Sequence, residues 1–198
     1  LASLPQLDTC TSALNSTIIW NNGCVIKIPF CKRIFQAPKC NCAYLNIKKD
    51  YTLKQLPYQV TTEMDGLRKV YIRYGNLTVL PSNMENLVNM VEFDISFTKL
   101  REFNVDVGKW DKLNKLHLMH NNLQQYNENA LWEHQNVAGI SLMHNIGLMP
   151  PRMRRKMPSL QYLELSNNNI TGFKMDISKE FFPNLKFLLM LQKSLFLN

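Results

Sequence analysis
The sequence predicts an α/β repeat: a curved solenoid with a parallel β-sheet on its concave face and irregular, 3₁₀ or short-helical returns on its convex face. Three observations predict it. The tetrapeptide Leu-Met-His-Asn occurs twice, in LHLMHNN at 116–122 and in SLMHNIG at 141–147, with Leu118 and Leu142 24 residues apart. An apolar spacing, L-x-x-L-x-L-x-x-N-x-L, surrounds both copies and recurs along most of the chain. Within each recurrence the fourth and sixth positions alternate, as residues facing one side of a strand must.

The first tetrapeptide lies in a unit whose key positions are Leu113, Leu116, Leu118, Asn121 and Leu123. The second gives Val137, Ile140, Leu142 and Asn145, with Gly147 where the last leucine belongs. Downstream the pattern is complete in Leu160, Leu163, Leu165, Asn168 and Ile170, then fades in Leu185, Leu188, Met190 and Leu195, with Lys193 at the asparagine position. Upstream, Met90, Phe93, Ile95 and Leu100 fit with Thr98 replacing asparagine, and Leu67, Val70, Ile72 and Leu77 fit with Gly75 there. A degenerate first unit runs through Cys42, Leu45, Ile47 and Asp50. The starts at 42, 67, 90, 113, 137, 160 and 185 are thus separated by 23 to 25 residues. An asparagine at the ninth position satisfies backbone groups where the chain leaves the strand. Stacked units bury the leucines as a continuous ladder. Phe103, Trp110, Leu131, Trp132 and Phe181 fall in the return segments and are expected to fill the convex side, while Asp111, Glu128 and Glu180 point to short helical or 3₁₀ turns there.

These units resemble the leucine-rich repeat family, whose repeats run roughly 20–29 residues. The LPSNMENL stretch at 80–87 resembles the leucine-proline return of one class of these repeats. The resemblance covers Cys42 to Asn198, about seven repeats. It implies caps at the ends, because a bare repeat exposes its core. Residues 1–41 are expected to form a cysteine-rich N-terminal cap. No C-terminal cap is visible, so Leu189, Leu191 and Phe196 are expected to leave an open apolar edge for further repeats or a partner.

Cys10, Cys24, Cys31, Cys40 and Cys42 all fall in the first 42 residues and none follows. That clustering suits a disulfide-stapled cap in an oxidising compartment, with two disulfides and one cysteine left over. The Cys-Asn-Cys pair lacks the two-residue gap of zinc knuckles. The segment looks like the caps of extracellular leucine-rich repeat proteins, and the blocks CVIKIPFCKRIF and PKCNCAYLNI look similar to ectodomains of oomycete and related stramenopile surface proteins. Asn15, Asn76 and Asn169 each start an Asn-x-Ser/Thr sequon, a glycosylation candidate in a secreted chain. The expected location is therefore extracellular or cell-surface, reached by the secretory pathway.

The net charge of +8 favours an anionic partner, though few stretches concentrate it. The densest, PPRMRRKMP at 150–158, lies in a return segment without aromatic interleaving, so nucleic acid is not an expected partner. The first twenty residues lack a basic start followed by an apolar run, and no stretch has the length of a membrane span; membrane attachment is expected only through regions outside this chain. There is no glycine-rich phosphate loop, nucleophile elbow or His-Glu zinc helix, and seven glycines leave little material for such loops. No catalytic residue, metal or cofactor is assigned.

Function is expected on the outward positions of the concave sheet, the second, third, fifth, seventh and eighth of each unit, which stack about 5 Å apart. Early units carry a basic and aromatic patch, Lys48, Lys49, Lys69, Tyr71, Arg73 and Tyr74. Glu92 and Asp94 either receive a cationic ligand or balance Lys69 and Lys115 across neighbouring strands. His120 and His144 share a column, with His117 on the strand of His120; a metal site, a pH-sensitive surface and ordinary polar decoration are the three readings. The expectation is a non-catalytic module binding a protein, peptide or glycan through Lys69, Tyr71, Arg73, Tyr74, Asp94, Phe97, His117, His120 and His144. The alternatives are a structural subunit docking a neighbour through the C-terminal edge, and a metal- or pH-responsive surface at His120 and His144.

Overall fold
The computed structural model describes residues 18–20, 23–27, 43–56, 59–62, 64–145, 152–168 and 176–191, the first two segments as backbone only. Nine strands form one sheet. Its members are β1 (Ile18–Trp20), β2 (Gly23–Lys27), β3 (Tyr44–Lys48), β4 (Lys69–Arg73), β5 (Glu92–Ser96), β7 (Lys115–His117), β9 (Gly139–Ser141), β10 (Tyr162–Glu164) and β11 (Phe187–Leu189), in that spatial order. From β2 onward every pair is parallel, and the register joins equivalent positions of successive units: Leu45, Val70, Phe93, Leu116, Ile140, Leu163 and Leu188 form one cross-strand row. A step of one repeat per strand is the geometry of a solenoid. β1 departs from it, pairing antiparallel with β2, so residues 18–20 and 23–27 of the segment read as the cap extend the sheet.

The row is buried from Leu45 through Leu163, as is the sixth-position row of Ile47, Ile72, Ile95, Leu118, Leu142 and Leu165. Branched and leucine side chains at these two positions face one side of the sheet, and each apolar side chain so buried stabilises by about 1.5–3 kcal/mol. The returns close the other side of the core. Trp110 packs 5.1 Å from the Phe93 ring at 44°, and Phe103 packs 5.8 Å from it at 42°. Both side chains, with Leu131 and Trp132, are buried; Phe181 is half-buried.

The returns carry short elements with local causes. Asp106 caps a 3₁₀ turn at Val107–Lys109 by accepting from the Gly108 amide at 3.2 Å. Asn127 caps α2 (Glu128–Trp132) by accepting from the Ala130 amide at 3.2 Å, with Glu128 in the first turn where an acid suits the helix dipole. A further 3₁₀ turn, Met84–Asn86, lies in the leucine-proline return, and α1 is Gln59–Thr62. The apolar periodicity gave no sign of a second, two-stranded sheet on this side, β6 (Glu102–Phe103) with β8 (Gln125–Tyr126).

Asparagine side chains join the turns. Asn145 donates to the carbonyls of Leu118 at 2.7 Å and Leu142 at 2.9 Å, and accepts from the Leu123 amide. Asn121 donates to Ile95 and Leu118, and Asn168 accepts from the Asn145 amide at 2.6 Å. Thr98 joins the row through Asn121 at 2.5 Å. Asp50 turns its own unit by accepting from the amides of Thr52 and Leu53. Gly75 has a separate reason to lack a side chain: an added Cβ would lie 2.6 Å from the Asp50 carbonyl oxygen.

Candidate functional site
The eighth residue of each of the first six units turns the chain out of its strand in the left-handed region. Lys49, Tyr74, Phe97, His120, His144 and Asn167 have φ of 58°, 59°, 56°, 51°, 55° and 57°. Each costs about 1–2 kcal/mol for a residue with a Cβ. The cost is offset by regular bonding, because each of these amides donates to the seventh-position carbonyl of the next unit, as from His120 to Met143 at 2.8 Å. The shared conformation points the side chains in one direction.

Their rings therefore stack. Tyr74 and Phe97 lie 4.8 Å apart between centroids, Phe97 and His120 4.2 Å, and His120 and His144 4.2 Å, all within 21° of parallel. The Asn167 amide closes the column 3.0 Å from His144 Nε2. The facing sides of the four rings cover one another. Burial first, then the neighbouring His144, holds the His120 imidazole below its ordinary value.

A polar network occupies the third and fifth positions beside it. Lys69 donates to Glu92 at 2.9 Å, and Tyr71 donates to the other Glu92 oxygen. Burial pushes the Glu92 carboxyl up, but the bonds from Tyr71 and Lys69 outweigh it and leave it below the ordinary carboxylate value. Burial and the same carboxylate raise the Tyr71 hydroxyl. Arg73 grips the buried Asp94 through Nε at 2.7 Å and through Nη2, and Ser96 donates to Asp94 Oδ1 at 2.5 Å. Of the two readings of Glu92 and Asp94, balance describes them: Lys69 holds one and Arg73 the other, with Lys115 adding only its field at Glu92. Farther along, Ser141 and Tyr162 both donate to Glu164 Oε2, at 2.8 and 2.9 Å. Burial and that carboxylate push the Tyr162 hydroxyl up to about 12.

Asp94, His117 and Ser141 are aligned on three consecutive strands. These are the residue types of an acyl-transfer triad, which needs the serine bonded to the histidine and the histidine to the acid. Here the serine bonds Glu164, the acid bonds Arg73 and Ser96, and Ser141 is 0% exposed. His117 sits half-buried between them, its imidazole lowered by burial against the pull of Asp94. Among the described residues no group of three or more His, Cys, Asp or Glu side chains is placed to hold a metal ion.

The nine residues singled out in the sequence thus form two adjoining sets: Tyr74, Phe97, His120 and His144 in the column, and Lys69, Tyr71, Arg73, Asp94 and His117 in the network. Ser96, Ser141, Tyr162 and Glu164 complete the network and were not singled out; their place in the third, fifth and seventh columns was the available signal. Asn76 is half-buried, its amide donating to the Tyr51 carbonyl at 2.7 Å. Asn15, Asn169, the Cys24 side chain and the other four cysteines lie outside the described residues. So do Phe196 and the start of the basic run, whose Arg152, Arg154, Arg155 and Lys156 are exposed on a return, with Arg155 3.3 Å from Glu133. No helix of the described residues is long and apolar enough to cross a membrane.

A parallel sheet advancing one strand per repeat, buried leucine rows and asparagine-joined turns define the leucine-rich-repeat solenoid. The Leucine Rich Repeat family matches at residues 159–185. Solved structures share the fold. The leucine-rich repeat domain of APL1B superposes with a TM-score of 0.64 at 16% identity, over 96% of this chain and 55% of that one. A plant ice-binding protein gives 0.56 at 18%, over 84% and 63%. The chain in a TLR13–ssRNA13 complex gives 0.53 at 15%, over 74% and 24%. The chain spans about half the length of the APL1B domain and a quarter of the TLR13 chain. No curated protein sequence matches it. These neighbours lend no support to the narrower likeness to oomycete and stramenopile surface proteins.

Proposed function
We propose that this chain is a non-catalytic binding module that works outside the cell and takes a protein, peptide or glycan on the concave face of its sheet. Leucine-rich repeats commonly serve protein binding, and that coarser role rests on the fold. The single observation that carries the reading here is the ring column beside an ordered network of charges. Tyr74 and Phe97 remain 39% and 37% exposed although their neighbours fix their orientation. Exposed aromatics and arginine held in one geometry are the anchors that binding surfaces use, because little side-chain freedom is lost on contact. The column also argues against single-stranded nucleic acid, which needs free ring faces for its bases.

The extracellular placement rests on the cysteine clustering and the sequons of the sequence. Intact-mass measurement with and without reduction tests it: two disulfides are expected, and five free thiols would remove that part of the proposal. Binding itself is tested by selecting partners from a displayed peptide and protein library and comparing Tyr74→Ala with Arg154→Ala, on the concave and return sides. The concave change is expected to abolish binding and the other to spare it.

A second reading has its own observation. On β11, Phe187 is 63% exposed and Leu191 beyond it 73%. That apolar end suits a chain that docks a neighbour as part of a larger assembly. The mass of the native particle separates the two: a stoichiometric complex supports assembly, a free monomer supports ligand binding.

A further inference from the structure
The seventh and eighth positions of the repeats hold no acidic residue. They read Lys48–Lys49, Arg73–Tyr74, Ser96–Phe97, Met119–His120, Met143–His144 and Ser166–Asn167. Elsewhere on the face each acid has partners: Lys69 and Tyr71 at Glu92, Arg73 and Ser96 at Asp94, Ser141 and Tyr162 at Glu164. The two kinds of column therefore differ in charge. In the third and fifth columns Lys69 pairs Glu92, Arg73 of the strip pairs Asp94, and Glu164 is held by hydroxyls alone, whereas Lys48 and Lys49 of the seventh and eighth columns take part in no ion pair among the described residues.

The strip has a direction. At one end Lys48 lies directly opposite Arg73 in the register, with Lys49 beside it. Like charges opposite each other on neighbouring strands destabilise a sheet. Asp94 relieves Arg73, but among the described residues neither Lys48 nor Lys49 takes part in an ion pair, and both are exposed. Beyond Arg73 the strip becomes apolar and neutral, through Phe97, Met119 and Met143 beside the stacked imidazoles. From the first unit to the fifth it spans four strand spacings, roughly 19 Å or about six residues of extended chain.

We infer that this strip binds an extended peptide segment, laid across the strands, with acidic side chains at the Lys48–Lys49 end and apolar ones over Phe97, Met119 and Met143. The inference rests on the binding-module reading and narrows it. A uniform polyanion matches the strip poorly, because the cations end after two units. A purely apolar segment leaves the lysines unanswered. A block of acid followed by apolar side chains satisfies both halves, and the net charge of +8 draws it in. Methionine adapts to varied apolar side chains, so the apolar half selects for character more than for shape.

The test uses synthetic peptides and the whole chain. One probe has three aspartates followed by leucine and phenylalanine residues; a second scatters the same residues; a third is polyglutamate; a fourth is a heparin fragment. Variants are Lys48→Ser with Lys49→Asn, which tolerates the left-handed backbone, and Met119→Gln with Met143→Gln. Thermal melts first establish that both keep the fold. The block peptide is expected to bind in preference to the other three, about tenfold weaker to the lysine variant and about fivefold weaker to the methionine variant. Equal binding of block and scattered peptides, tighter binding of polyglutamate or heparin, no saturable binding, or unchanged binding by either variant overturns the inference. A third variant, Tyr44→Ala with Tyr162→Ala in the third column, separates the two levels. If it alone loses the block peptide, the strip is wrong and the concave reading stands; if no variant loses a bound peptide, both are wrong.

Discussion

The imidazole rings of His120 and His144 lie face to face, 4.2 Å between centroids and 20° from parallel, one repeat apart. Two cations at that distance repel, which adds to burial in holding His120 neutral. Burial, then His144, lowers His120, and burial lowers His117 and His134. His134 adds a bonding reason, since its Nδ1 accepts from the Asn136 and Val137 amides, both at 3.1 Å, and loses both bonds on taking a proton.

A histidine lowered in the fold takes its proton first in the unfolded chain. Stability is then full above the ordinary value of about 6.5 and falls as pH drops through it, levelling once the folded rings protonate. The melting temperature is expected to decrease between roughly pH 7.5 and 5.5, and His134→Gln to flatten that slope. A melting temperature that is constant or rises on acidification contradicts this.

Gly75→Ala is expected to destabilise the fold by about 1–3 kcal/mol. Its Cβ would lie 2.6 Å from backbone oxygen of the preceding unit, and backbone gives less readily than a side chain. Urea unfolding measures the loss. A change within a few tenths of a kcal/mol shows the turns to be looser than described.

Asn145→Ala removes a side chain that answers four backbone groups in a buried turn. The expected cost is about 2–4 kcal/mol, since a buried carbonyl or amide left alone loses its water without replacement. The same change at the exposed Asn122 is expected to cost almost nothing, within about 0.5 kcal/mol. Equal costs contradict the turn-joining role.

The repeat was legible because burial acts on position: Leu116 and Leu118 must face one way, and an apolar residue at every such site announces it. The turn asparagines were legible for the same reason, being the side chain that reaches two units at once. The ring column was only half legible. The eighth positions put Tyr74, Phe97, His120 and His144 in one file, but the left-handed backbone that stacks them has no marker in the sequence, which carries no glycine there. The network was less legible still. Which lysine or arginine answers Asp94 depends on side-chain reach across strands, and Arg73, two residues beyond its cross-strand partner Tyr71, reaches it diagonally.

Lys49→Gly is expected to stabilise the isolated chain by up to about 1 kcal/mol, because glycine adopts its φ of 58° without a Cβ clash and Lys49 is exposed and in no ion pair. His120→Gly is expected to destabilise despite the same relief, since it breaks the column on both sides. Paired denaturation curves decide this, and a gain at both sites means that the stack contributes nothing.

The central claim is that the outward face of the parallel sheet is where a partner binds, and its methionines report on it directly. Met119 and Met143 stand half-buried on that face, while Met84, Met90 and Met157 are in the core. With the methionine methyls labelled with carbon-13, a partner selected from the displayed library is added and the methyl spectrum recorded. The account predicts that the Met119 and Met143 signals shift and saturate with the partner while those of Met84, Met90 and Met157 hold still. Saturable binding that leaves Met119 and Met143 unmoved would contradict it.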